Sequence, residues 1–171
     1  MSVDPAFRLL AAHRAASSPR PSFDGSRGVL AVSAHLVVEG LKGGDPQILV
    51  ESIAGLLYAI ASASVEADLP LPWSPRPRPR VGNLLLPPPA ERRHLASEVL
   101  TLEGAFVSAA DPAGSGEPLA AILDDGARLC HRMAAACGVP LDPLLLDVHR
   151  AALAAAARAA ETDMPARRAL P

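Results

Sequence analysis

The sequence predicts an all-α protein, an antiparallel helical bundle with two pseudo-symmetric helical repeats in one chain. Three observations carry this. Half of the 171 residues are hydrophobic and only 3% are aromatic. Ala, Leu and Val make up most of that half, a mix that suits close-packed helices better than strands. Helix stop and start signals recur, as Gly beside Asp-Pro at Gly44-Asp45-Pro46 and as Asp-Pro again at Asp111-Pro112 and Asp142-Pro143. The two halves also carry the same order of elements, and each helix pair leaves an apolar stripe that a second pair can cover.

The elements follow from local signals. Residues 4–16 open with Asp4 as N-cap and Pro5 at the first helical position, and place Phe7, Leu10, Ala11 and Arg14 at helical spacing. A break over 17–28 precedes a helix from about Val29 to Leu41, closed by Gly43-Gly44. Asp45-Pro46 opens the next helix, which runs to Leu69 and is apolar on nearly every face, the mark of a central core helix. Residues 70–90 hold eight prolines and read as a semi-rigid linker over the outside of the fold, anchored by Trp73. Helices over 94–109, 119–138 and 144–160 complete the second half, and 163–171 forms a tail. The expected organisation is a helical half over 1–69, the linker, and a second helical half over 91–162.

The halves align on two dipeptides. Glu39-Gly40 matches Glu103-Gly104, and Asp45-Pro46 matches Asp111-Pro112, with a short insertion at Gly114–Gly116 in the second half. A chain carrying both copies completes a bundle by itself, as a monomeric pseudo-dimer, or pairs such units into a homodimer.

Charge and hydropathy exclude several classes. The net charge is −2, with no clustered basic face for nucleic acid. No signal-peptide pattern opens the sequence and no run of 18 uninterrupted apolar residues occurs, so a cytoplasmic protein without a membrane span is expected. Cys130 and Cys137 lie seven apart on one predicted helix, about 10 Å along its axis. That is too far for a disulfide, and two small buried side chains are expected. His35 and Glu39 are four apart on one helix; a local surface pair is the expectation, with metal ligation the competing one.

The second half carries the residues of a known pattern. An acidic helix is followed by a break and then by a helix with an acidic residue and an apolar run. A Gly-small turn (Gly138-Val139-Pro140-Leu141-Asp142) leads to Asp147-Val148-His149-Arg150-Ala151 on a third helix. This order resembles the all-α nucleoside triphosphate pyrophosphohydrolases of the MazG and dUTPase-like superfamily. The resemblance is best over 92–160 and weaker over 7–72. It implies hydrolysis of a nucleoside triphosphate to the monophosphate and pyrophosphate. It also implies Mg²⁺ held by Glu-x-x-Glu on one helix and Glu-x-x-Asp on the next, because carboxylates at i and i+3 share a face and Mg²⁺ takes oxygen ligands.

Mapped residue by residue, Glu98 takes one Glu-x-x-Glu position and Thr101 stands at the other. Asp125 takes the Asp of Glu-x-x-Asp and Ile122 stands at its Glu. Glu98 and Asp125 are therefore the candidate catalytic and metal-ligating residues, with Asp124 a neighbouring carboxylate as a third metal candidate. His149 and Arg150 are the substrate-binding candidates. The family's Asn and Lys after this motif are Ala152 and Ala155 here, and Glu103 points about 140° away from Glu98 around its helix. First-half positions Val32 or Ser33, Leu36, Ser52 and Gly55 carry no acid. The expectation is a divergent pyrophosphohydrolase; the competing one is an inactive relative that serves as a nucleotide sensor or a helical interaction module. For Glu98, Asp125 and Asp124 an ordinary solvated helix face is the alternative; for His149 and Arg150 it is pairing with Asp147 or Asp142 near the start of the third helix.

Overall fold

The computed structural model describes residues 23–67, 69, 84–109 and 119–141, with nine further positions between 144 and 158. All its regular structure is helical, and no strand occurs among the described residues. The four long helices are α1 (Phe23–Gly43), α2 (Pro46–Glu66), α3 (Pro89–Ser108) and α4 (Leu119–Ala136). The nine described positions between 144 and 158 are also helical. The segments 4–16 and 70–83, Trp73, Asp111-Pro112, Asp142-Pro143 and the tail over 163–171 lie outside the described residues.

The caps follow the sequence signals. Asp45 is extended (φ −98°) and its Oδ1 accepts from the amides of Gln47 at 2.8 Å and Ile48 at 3.3 Å, satisfying two of α2's free donors. Gly44, at φ 80°, ends α1 in the left-handed region that glycine alone adopts freely. Gly138, at φ 76°, ends α4 in the same way. There the Val139 amide donates to the Ala134 carbonyl and the Gly138 amide to the Ala135 carbonyl, the paired bonds of a Schellman motif.

Two boundaries differ from the sequence reading. α1 begins at Phe23, six residues before Val29 and within the expected break. α3 begins at Pro89, inside the proline-rich stretch, because proline fits the first turn of a helix where its missing N–H costs nothing. The residues just before it are docked. Pro87 is buried, Leu84 and Leu86 pack on the core, and the Leu85 amide donates to the Cys137 carbonyl at 3.2 Å.

Each helix packs on two others: α1 on α2 and α3, and α4 on α2 and α3. Directions follow from the contacts. The two-residue connection between α1 and α2 forces them antiparallel. Arg27 reaches the Val107 carbonyl while Arg92 reaches the Leu41 carbonyl, so α1 and α3 run oppositely. Arg132 bonds Glu98 while Gly126 sits against Leu102 and Phe106, so α3 and α4 do too. All four adjacent pairs are then antiparallel. A single core runs through them, with Leu30, Ile53, Leu57, Ile60, Phe106 and Met133 each fully buried. α2 is its central member. By length and composition it is apolar enough to cross a membrane, with a mean hydropathy of 1.8, and 67% of that stretch is buried against the rest of the protein.

The buried positions repeat in register. Leu30, Ala34, Val37 and Leu41 on α1 match Leu95, Val99, Leu102 and Phe106 on α3, each 65 residues later. Leu49, Val50, Ile53, Ala54, Leu56 and Leu57 on α2 match the six buried positions from Ile122 to Cys130 on α4, each 73 residues later. Pairing Glu39-Gly40 with Glu103-Gly104 shifts α1 against α3 by one residue, about 100° around the helix. The surroundings of the glycines show the mismatch. A Cβ on Gly40 would lie 3.0 Å from the Leu49 Cα, whereas Gly104 faces open space. The shared dipeptide does not mark equivalent faces.

Candidate functional site

The outer face between α3 and α4 holds an open groove of about 570 Å³. Each helix lines it with one stripe. α3 contributes Glu98, Thr101, Leu102 and Ala105, at spacings of three, four and seven. α4 contributes Ile122, Asp125, Arg128, Leu129 and Arg132. Leu102, Ile122 and Leu129 are buried and form an aliphatic floor. Gly126 sets how deeply α4 seats, since a Cβ there would come within 2.8 Å of Ile60 Cδ1 and 3.2 Å of Leu102 Cδ2.

Glu98 and Asp125 thus face one groove from two helices. Each carboxylate is already bound by an arginine. Arg132 Nη2 donates to Glu98 Oε1 at 2.8 Å, across the groove. Arg128 donates to Asp125 along α4, and this bond raises the guanidinium pKa above its ordinary value. Glu98 Oε2 is occluded and has no hydrogen-bond partner; His94 Nε2 stands 3.9 Å from it. The Thr101 hydroxyl is turned back to donate to the Ser97 carbonyl at 3.0 Å.

Asp124 lies beside Asp125 in sequence but does not line the groove, because successive helical residues differ by about 100°. Arg150 pairs with Asp147 at 3.1 Å on an exposed face and does not line the groove either. His149 lies outside the described residues. Glu39 accepts from Lys42 Nζ at 2.8 Å, which, with a smaller contribution from His35, lowers its carboxyl pKa. Burial raises both cysteine thiols, Cys137 to about 11 and Cys130 further. Both are free and buried, as two small core side chains should be.

The donor set does not fit a Mg²⁺ cage. The groove offers one carboxylate per helix, each engaged by a guanidinium; Ile122 offers no oxygen, and Thr101 offers a neutral hydroxyl where the pattern has a carboxylate. Among the described residues no three His, Cys, Asp or Glu side chains converge.

Arg128 and Arg132 are the groove residues that sequence reasoning missed. Their signal was present: Asp125, Arg128 and Arg132 fall at i, i+3 and i+7 on one face of α4. At the matching positions on α1 and α2 stand Ser33, Leu36, Ser52, Gly55 and Ala59, so the first half has no charged counterpart. There Gly40 admits Leu49 closely, whereas Ala105 keeps its methyl in the groove of the second half. Comparison of the chain with family models, with curated proteins and with solved structures finds no match.

Proposed function

We propose that this protein is a duplicated four-helix bundle related in plan to the all-α nucleoside triphosphate pyrophosphohydrolases, and that it binds a nucleotide without hydrolysing it. The observation that carries the reading is the capture of Glu98 and Asp125 by Arg132 and Arg128. Carboxylates so engaged are weakened Mg²⁺ ligands, because the guanidinium competes for one oxygen and its charge repels the cation. The same groove offers an aliphatic floor for a base and two guanidiniums for phosphate, within the 300–1,000 Å³ range of small-molecule sites.

Duplication is supported by the matching buried registers, 65 residues apart on α1 and α3 and 73 apart on α2 and α4. The two offsets differ by the number of residues by which the α3–α4 connection exceeds the α1–α2 connection. In this reading the four helices complete one another within a single chain, as a monomer. A residual Mg²⁺-dependent pyrophosphohydrolase is the second reading; it is favoured by the convergence of Glu98 and Asp125 on one groove.

Calorimetric titration with nucleoside triphosphates tests the proposal, run with EDTA and with Mg²⁺. Binding in both, weakened about tenfold by Arg132→Gln, is expected from the loss of one charge-assisted hydrogen bond. Absence of binding to every nucleotide tested would rule out the nucleotide reading.

A further inference from the structure

A second groove, of about 470 Å³, lies where the end of α1 meets the start of α3. Three cations line it, Lys42, Arg92 and Arg93, together with the apolar Leu41, Pro89 and Leu100. Lys42 pairs with Glu39 among the described residues. Arg93 makes no hydrogen bond or ion pair among the described residues. Arg92 Nη1 donates to the Leu41 carbonyl at 3.2 Å, which fixes the guanidinium at the groove wall, and its Nε is occluded with no acceptor. The N-cap of α3, Pro88, provides no side-chain acceptor, and Glu91 stands in the first turn. By contrast, the α3–α4 groove balances two arginines against two carboxylates.

We propose that the α1–α3 groove is an anion site for a phosphate-bearing small molecule, held by Lys42, Arg92 and Arg93 and seated on Leu41 and Leu100. The site is separate from the groove between α3 and α4 and does not depend on the nucleotide reading.

Inorganic tripolyphosphate is the probe, titrated into the full chain at low salt without divalent metal and followed by calorimetry. Arg93 and Lys42 are exposed, so Arg93→Glu and Lys42→Glu leave the core intact, and circular dichroism checks this. Binding is expected, weakened at least about tenfold by Arg93→Glu and by Lys42→Glu, and weakened by salt. With Arg128→Gln and Arg132→Gln in place, which removes the guanidiniums of the α3–α4 groove, tripolyphosphate binding should persist and should still fall with Arg93→Glu or Lys42→Glu. Two results would overturn the proposal: no binding by the wild-type chain, or binding that falls with Arg128→Gln or Arg132→Gln and is untouched by the Arg93 and Lys42 changes.

Discussion

At the scale of single residues, Gly40 and Gly104 separate a close helix contact from an accident of sequence. A methyl on Gly40 meets the Leu49 Cα at 3.0 Å, so α1 and α2 must move apart. Gly40→Ala is expected to destabilise by about 1–3 kcal/mol, as overpacking does. Gly104→Ala meets nothing and should stabilise by about 0.5–1 kcal/mol, because Ala orders more readily in a helix interior. Denaturant midpoints of the two variants measure the contrast; equal and opposite signs from those given would remove the argument against pairing the two glycines. Cys137 supplies a pH dependence. Its folded-state thiol is raised from 9.0 to about 11, so the folded protein holds the proton longer than the unfolded chain. The associated stability is complete below pH 9 and is lost as pH rises toward 11. Urea titrations at pH 8 and 10.5 should show a fall in stability that shrinks in Cys137→Ala.

At the scale of elements, caps define where helices stop. Asp45 accepts two amides at the start of α2, and Asp45→Ala should cost about 1 kcal/mol. Gly138 holds the Schellman turn after α4 at φ 76°, and Gly138→Ala should cost about 1–2 kcal/mol, the penalty for a Cβ in the left-handed region. Thermal melts of both variants check these values. These features were legible in the sequence because capping is local chemistry. The core role of α2 was legible too, since a helix apolar on nearly every face has to be enclosed. The start of α1 at Phe23 was not, because Gly25 and Gly28 disfavour a helix and the helix nevertheless runs through them.

At the scale of the whole molecule, four helices in antiparallel contact present two different grooves on a shared core. Glu98 and Asp125 were expected to share a site through the resemblance to the pyrophosphohydrolase pattern, and both line the α3–α4 groove. Their engagement by Arg132 and Arg128 was harder to see, because the Glu98–Arg132 bond joins residues 34 apart in sequence. The order of elements suggested an alignment of the halves, but any register depends on which faces are buried, which a repeated dipeptide does not encode. The central claim is that the groove binds without catalysis. Pyrophosphate release from a panel of ribo- and deoxyribonucleoside triphosphates with Mg²⁺ tests it most directly, comparing the wild-type chain with Glu98→Gln and Asp125→Asn. The account predicts no release above background from any of the three; Mg²⁺-dependent release by the wild type that either substitution abolishes would contradict it.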